Sequence, residues 1–334
     1  MQVESYVFEQ FGLDALKRVT QNIDFDLKDT QVLVKIKYIA LNYRDLLMVK
    51  GEYLPKLHFP MIPCSDGMGE VIAVGPKATL TIGQRVCTRF HQTWQMGDPP
   101  SDVHQHTLGG PLQGVFRTHL CIDQAGLMPI TDGISDVSAS TFTCAALTAW
   151  SALITNGALQ SGQKMLTIGT GGVSLFAAQI ANAMGAKPLI VSRSADKLES
   201  LKKTLNFDFE GVLEQNWGKT YKNQIDHIIE LGGVGTLEQS LSAVKIGGQV
   251  SMIGVLSGAK SEINIMPILM KQIRVQGILV GHAQALSAMI GFFDTHQIEA
   301  VIDRVYPWDQ ALQAFEYLST GLHMGKIVIA TPQA

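Results

Sequence analysis

The run Gly169-Thr170-Gly171-Gly172-Val173-Ser174 has residue types and spacing that do recognisable chemistry. It follows an apolar, strand-like stretch, Met165–Ile168. It precedes a segment in which Val173, Phe176, Ala177, Ile180, Ala181 and Met184 fall on one helical face. A glycine turn between strand and helix brings a pyrophosphate close to the backbone and seats it on the helix N-terminus, where N–H groups and the dipole favour an anion. Gly169 and Gly171 meet the first two positions of the dinucleotide fingerprint. Ser174 stands at the third, small enough for close helix–strand packing. Strand, turn, helix and next strand follow within about 30 residues, and this context selects dinucleotide binding over an ordinary glycine turn. No GxxxxGK[ST], GxSxG or HExxH occurs, so P-loop, serine-hydrolase and zinc-protease chemistries have no footing.

An NAD site wants an acidic residue at the end of the second strand, for the ribose 2′-hydroxyl. Here that strand ends Val191-Ser192-Arg193-Ser194, and the nearest acid, Asp196, already belongs to the next helix. Serine hydroxyls beside a guanidinium suit a 2′-phosphate, so NADP(H) is the expected cofactor, with Lys197 close by. The plain alternative makes Arg193 a solvated surface residue and Ser194 a helix cap.

The elements around these residues set the architecture. From Ser138 to about Gly281, buried strand-like pieces (Met165–Ile168, Leu189–Val191, Ile225–Leu231, Gln249–Ile253, Val275–Val280) alternate with helical ones. That pattern predicts a parallel sheet covered on both faces. The first 125 residues read as short strands and turns, among them Val32–Ile39, Gly69–Val74 and Val86–Phe90. A long Gly/Pro/His/Asp-rich loop fills 90–114, a length expected of functional or mobile segments. The last fifty residues return to helix and β pieces, ending in Lys326-Ile327-Val328-Ile329.

The 334 residues suit about two domains. With 46% apolar and 16% charged residues, a disordered chain and a coiled coil are both excluded. The net charge of −3 builds no basic footprint for nucleic acid. Cys64, Cys87, Cys121 and Cys144 show no metal-finger spacing and fit a reducing compartment. The opening MQVESYVFEQFG does not read as a signal peptide. The most apolar stretch, Ile278–Phe293, contains His282 and Gln284 and is too short to span a bilayer. A cytoplasmic protein with no membrane partner is expected.

Several runs together carry a family resemblance: Ala40-Leu-Asn-Tyr-Arg-Asp45, Gly51-Glu-Tyr53, Ile62-Pro-Cys-Ser-Asp-Gly-Met-Gly-Glu-Val71, Thr143-Cys-Ala-Ala-Leu-Thr-Ala-Trp150, the glycine turn itself, Glu230-Leu-Gly-Gly233, Ile253-Gly-Val-Leu-Ser-Gly258 and Gly325-Lys326. Over essentially its whole length the chain resembles the medium-chain dehydrogenase/reductase superfamily, in its quinone-oxidoreductase-like branch. The resemblance implies an α/β fold: a doubly wound Rossmann sheet at 126–281, inserted into a β-rich GroES-like catalytic domain formed by 1–125 and 282–334. It also implies a homodimer, with the active site in the interdomain cleft.

Zinc-dependent members carry three catalytic ligands at positions that here read Asn42, Ser65 and Cys144. Only the last is a good ligand, with Asp66 a possible helper, so no metal is expected. Their four-cysteine structural lobe is absent as well. His91, His104, His106 and His119 are expected to be exposed or satisfied, and Cys144 to be a small buried hydrophobe. Glu214-Gln-Asn216 departs from a run that many branch members carry beside the adenosine phosphate.

By resemblance, Tyr53 is the candidate proton donor or oxyanion anchor, the plain alternative being a tyrosine packed against Leu54-Pro55. Asn42 would orient substrate or nicotinamide, the plain alternative being a structural turn-capping asparagine. Thr148 would lie against the nicotinamide, the plain alternative being mere helix packing. Cofactor contacts are expected at Gly169, Thr170, Gly171, Gly172, Val173, Ser192, Arg193, Ser194, Lys197, Gly232, Gly254, Val255, Val280 and Lys326. The expected function is NADPH-dependent hydride transfer to a quinone or an α,β-unsaturated carbonyl without zinc. The alternatives are a zinc-free alcohol/aldehyde dehydrogenase acting on C=O, or a non-enzymatic NADPH-binding sensor or structural protein.

Overall fold

The computed structural model describes residues 1–54, 56–213 and 215–332. Pro55 and Glu214, both weighed above, lie outside the described residues. Two compact units emerge: Met1–Ala145 with Gly281–Ala334, and Ala146–Val280. The first boundary falls after the expected 125/126, and local bonding explains why. The Ser135 N–H donates to Glu299 Oε1 at 2.9 Å, and the Ala300 N–H to Ser138 Oγ at 2.7 Å. The Thr143 hydroxyl donates to Thr88 O at 2.6 Å. These bonds tie 135–143 to the β-rich unit.

That unit begins with an antiparallel pair, β1 (Gln2–Val7) and β2 (Lys17–Asn22). β3 (Gln31–Ala40) pairs antiparallel with β4 (Asp66–Val74) and with β6 (His119–Asp123). β5 (Arg85–Thr88) joins β4 to β7 (Leu127–Pro129). Between β3 and β4 stands the helix Tyr43–Lys50. It stops at Gly51 (φ 76), where a Cβ would lie 2.7 Å from the Phe11 ring, so glycine is required on two counts. The long loop is internally bonded: His91 bridges to Thr107 and Leu108 to Leu112, while Trp94, Val103 and Leu108 are buried.

The second unit contains β8 (Lys164–Ile168), β9 (Lys187–Ser192), β10 (Glu210–Leu213), β11 (Ile225–Glu230), β12 (Val244–Met252) and β13 (Arg274–Gly277). They hydrogen-bond in the order β10-β9-β8-β11-β12-β13, all parallel. This is the doubly wound 3-2-1-4-5-6 order of dinucleotide-binding sheets. The amphipathic segment forms the helix Gly172–Ala183. β10 has no counterpart among the strands expected from sequence, because only Val212 of its four residues is buried and periodicity had nothing to register.

The chain then returns to the first unit with the helix Ala283–His296, β14 (Ile302–Pro307), the helix Ala311–Thr320 and β15 (Lys326–Ala330). β15 pairs antiparallel with β3 and parallel with β14, completing a seven-stranded sheet among the described residues. One aromatic cluster fastens this returning segment to the rest of its unit. Phe116 stacks on Tyr6 at 4.7 Å and meets Trp308 at 5.3 Å and Phe315 at 5.9 Å. Phe116 is fully buried, so Phe116→Ala should cost about 3–5 kcal/mol of stability. Urea denaturation measures it, and a loss under about 1 kcal/mol would mean that the cluster collapses into the space.

Candidate active site

In the second unit, β8 delivers the chain into the glycine turn. Gly169 has φ +87, and a Cβ there would meet nothing nearer than Ser174 Oγ at 4.0 Å; beside Gly171 there is open space. Ser174 donates to Ile168 O at 2.9 Å, folding the third fingerprint position back onto the strand end. The turn is therefore bare on its outer side. It opens the twelve-residue helix Gly172–Ala183, whose first-turn N–H groups have no intrahelical acceptor. Thr170 is buried beside it, and Val173 lies in the first turn.

At the end of β9, Ser192 Oγ accepts the Ser194 N–H at 3.1 Å, and Ser194 Oγ accepts the Lys197 N–H at 3.2 Å. Ser194 is thus the N-cap of the helix Ala195–Thr204, as the plain alternative had it. Each hydroxyl nevertheless keeps its own proton to donate. Arg193 is exposed next to them.

The ends of β11 and β12 are organised by a residue to which sequence reasoning assigned no role. Glu230 is fully buried, and its Oε1 accepts the N–H groups of Gly232 (2.8 Å) and Gly233 (3.1 Å) and the Thr236 hydroxyl (2.5 Å). Its other oxygen takes the Ser240 hydroxyl. Ser257 N–H donates to Gly232 O at 2.7 Å, joining this loop to the one that carries Gly254 and Val255. At Gly254 a Cβ would lie 2.5 Å from Leu231 O, so only glycine fits. The sequence signal for Glu230 was its place in the run Glu230-Leu-Gly-Gly233, which carried the family resemblance but no role for the acid. Thr148 is buried in the short helix Leu147–Trp150. Val280 has φ 52, an uncommon conformation for a β-branched residue.

In the first unit, β15, β4 and the helix Tyr43–Lys50 converge on a buried polar cluster. Lys326, 3% exposed, donates its ammonium to Leu41 O and to Asn42 Oδ1, both at 2.6 Å. With its oxygen held by Lys326, the Asn42 amide NH2 is itself buried, and it helps to lower the pKa of the Asp66 carboxyl. Asp66 accepts the Ser65 hydroxyl at 2.6 Å and the Cys144 N–H at 3.0 Å. Burial raises the Asp66 pKa, against the pull of Lys326 and these donors. Desolvation also pushes the Cys144 thiol far up, so it stays protonated. Lys326, expected at the cofactor, belongs to this unit and not to the one with the glycine turn.

This donor set does not fit a zinc ion. Asn42 is engaged by an ammonium and Ser65 by a carboxylate, which leaves the Cys144 thiol as the one good ligand of the three, whereas a catalytic zinc needs three good ligands and an open position. Among the described residues, no three His, Cys, Asp or Glu side chains are placed to hold a metal. His91 is buried on Thr107 (3.2 Å), His106 pairs with Asp102 (3.2 Å), His119 bonds Thr118 (3.0 Å) and His104 is exposed.

Tyr53 follows the Gly51 cap by two residues and is 45% exposed, so its phenol is open to a ligand. The Arg44 guanidinium carbon lies 5.3 Å from its ring centroid.

A doubly wound sheet with a bare glycine turn, joined to a β-rich unit holding a buried polar cluster, defines a dinucleotide-dependent dehydrogenase. Comparison with known proteins agrees. The zinc-binding dehydrogenase family matches residues 172–295, and the alcohol dehydrogenase GroES-like domain matches residues 28–132. A zinc-type alcohol dehydrogenase-like protein of Schizosaccharomyces pombe is 33% identical over 335 residues, covering 95% of this chain and 96% of that one. A probable cinnamyl alcohol dehydrogenase of Populus deltoides is 28% identical over 321 residues, covering 88% and 87%. The crystal structure of a putative alcohol dehydrogenase from Sinorhizobium meliloti 1021 superposes with a TM-score of 0.90 at 32% identity, covering 98% of each chain. The chain belongs to the medium-chain dehydrogenase/reductase superfamily, as an alcohol dehydrogenase-like, nicotinamide-dependent oxidoreductase.

The cluster has a pH signature. Asp45, fully buried, has its pKa raised from 3.8 to about 6, chiefly by desolvation, with Arg44 opposing and Asp66 reinforcing the shift. Between those values the folded chain holds a proton that the unfolded chain has lost. Asp45 therefore favours folding below pH 3.8, and that contribution drains away as pH rises through about 6. Asp45→Asn keeps an acceptor for the Asn42 N–H, 2.8 Å away, and cannot ionise. Urea midpoints should show wild type losing ground to the variant across that window. Parallel profiles would mean that Asp45 does not titrate there.

Proposed function

We propose that this chain is an NADP(H)-dependent reductase that acts on a quinone or an α,β-unsaturated carbonyl without zinc. The observation that carries the reading is the Lys326 ammonium bonded to Asn42, at a place where a zinc enzyme would need a metal ligand. A nicotinamide cofactor, when bound, supplies the hydride. The protein's part is to hold that cofactor, orient the acceptor and stabilise charge on its oxygen. Gly169 to Val173 receive the pyrophosphate, and Ser192, Arg193, Ser194 and Lys197 the 2′-phosphate. Thr148, Gly232, Gly254, Val255, Val280 and Lys326 complete the cofactor contacts. Tyr53 donates its phenolic hydrogen to the acceptor oxygen. The Asn42 NH2, whose amide oxygen Lys326 holds, orients the carbonyl.

A second reading, direct reduction of an aldehyde C=O or oxidation of an alcohol, is supported by the names of the relatives. A homodimer is supported by β13: its four residues are exposed at the sheet edge, near exposed Ile265, Met266, Leu269 and Met270. Such an edge is a template for pairing with a second copy. A cytoplasmic location is supported by four cysteines that form no disulfide. No helix among the described residues is long and apolar enough to cross a membrane.

NADPH should bind more tightly than NADH. A charge-assisted hydrogen bond contributes about 1.5–3 kcal/mol, so Arg193→Ala should weaken NADPH by roughly tenfold to hundredfold and leave NADH nearly unchanged. Fluorescence titration with both cofactors reads this, and an equal loss for both would move Arg193 away from the 2′-phosphate.

Tyr53→Phe deletes only the donor. Positioned acid catalysis is worth about 10²–10⁴-fold, so kcat on crotonaldehyde should fall by that order with NADPH affinity unchanged. The fall on 1,4-naphthoquinone should be smaller, since a quinone accepts hydride with less acid help. Assays after chelator treatment and product analysis complete the test. Activity lost with the metal, allylic alcohol in place of saturated aldehyde, or a variant equal to wild type would each defeat the corresponding part of the proposal.

A further inference from the structure

Arg44 lies in the first turn of the helix Tyr43–Lys50 and is 9% exposed. Its Nη1 donates to Leu108 O at 3.0 Å and its Nη2 to Gly110 O at 3.2 Å. Its guanidinium carbon lies 4.7 Å from the Phe90 ring centroid and 5.3 Å from that of Tyr53. The nearest carboxylate oxygen, Asp45 Oδ1, is 3.6 Å away, and the buried Nε–H makes no hydrogen bond among the described residues. As a purely structural choice this is a poor one. A buried cation with a loose ion pair and an unused donor is often improved by an apolar side chain of the same volume. A planar cation that also donates in a fixed fork can, however, do what no apolar residue can, which is to bond backbone carbonyls and face aromatic rings together.

We infer that Arg44 is a positioning residue: it holds the phenol ring of Tyr53 in place and fixes the 108–110 turn to the same helix. Among the described residues, Tyr53 makes no side-chain hydrogen bond and no other ring contact. It is 45% exposed, and it lies in a bend after the helix has ended at Gly51. The other side of the turn is rigid. Cβ atoms on Gly109 and Gly114 would strike the backbone of Cys64 (2.7 Å) and Pro63 (2.2 Å), and the Val115 N–H donates to Cys64 O at 2.9 Å. Through Leu108 and Gly110, Arg44 thus references the Tyr53 ring to the backbone that leads into Ser65 and Asp66.

The inference rests on the reading of Tyr53 as the donor to the acceptor oxygen, and its test separates the two. Full-length protein carrying 3-fluorotyrosine is compared as wild type, Arg44→Met and Arg44→Lys, with Tyr53→Phe assigning the Tyr53 resonance. In Arg44→Met that fluorine signal should shift and narrow as the ring becomes mobile. In Arg44→Lys, which keeps the charge but not the fork, it should lie between the two. Misplacement of a reacting group by about 1 Å can cost about a hundredfold, so kcat in Arg44→Met should fall by roughly tenfold to hundredfold. KM for NADPH should be unchanged, Arg44→Lys should rescue part of kcat, and adding Tyr53→Phe to Arg44→Met should cost less than it does alone. A Tyr53 resonance identical to wild type in both Arg44 variants overturns the inference, whatever the kinetics show. A shifted resonance together with a Tyr53→Phe variant of normal kcat supports the positioning role and defeats the donor role instead. Should Arg44→Met fail to fold, Arg44→Lys and Phe90→Leu carry the same comparison, and a wild-type Tyr53 signal in both overturns it.

Discussion

The ammonium of Lys326, buried on Leu41 O and Asn42 Oδ1, is the constraint around which the first unit is arranged. A buried charge is costly unless it is paired and hydrogen-bonded. Around this one, Asp45 and Asp66 are wholly buried, and both feel its positive potential. The pieces come from distant parts of the chain: β15 brings the lysine, the start of the helix Tyr43–Lys50 brings Asn42 and Asp45, and β4 begins at Asp66. Even the backbone serves it. At Gly325 (φ 72) a Cβ would lie 2.0 Å from Val301 O, so the residue before the lysine must be glycine for β15 to enter the sheet where it does.

The second unit solves a similar problem with the opposite sign. The Glu230 side chain, at the end of β11, is held by backbone N–H groups and hydroxyls rather than by a cation. Each bond fixes a different residue of the loop that follows, so one side chain sets the shape of 232–236. The two units therefore spend their buried charges differently. One fixes a side-chain amide, the other a backbone loop.

The sequence made some of this legible and hid the rest, for physical reasons. Local patterns carried the doubly wound sheet: Met165–Ile168 and the helical face from Val173 to Met184 each encode an element within a few residues, and the structure has both. β10 was invisible because a short edge strand buries too little to leave a pattern. The extent of the β-rich unit, up to Ala145, depends on hydrogen bonds from Ser135 and Ser138 to residues more than 160 positions away, which no window of sequence contains. The same holds for the polar cluster. Asn42 was readable as a candidate, but that Lys326 holds its oxygen is a fact of sheet topology, because β15 pairs with β3 immediately before Asn42. Arg44 and Glu230 stand in runs that carry the family resemblance, but their roles were hidden for a related reason: each acts through partners that only the fold assembles.

A metal ion at such a site polarises an oxygen strongly because a double charge sits directly on it. Lys326 supplies a single charge and uses two of its three donors within the chain. In the proposed function its effect on a substrate is therefore indirect, through the Asn42 amide, and weaker than that of a Lewis acid. A site of this strength suits an acceptor whose conjugation already spreads the developing charge over several atoms. An isolated carbonyl would concentrate that charge on one oxygen and ask more of Tyr53 and Asn42 than neutral donors give. On the proposed function, the balance of buried charge in the first unit thus bears directly on the choice between conjugated and simple carbonyl substrates, and it supports the reading with conjugated ones.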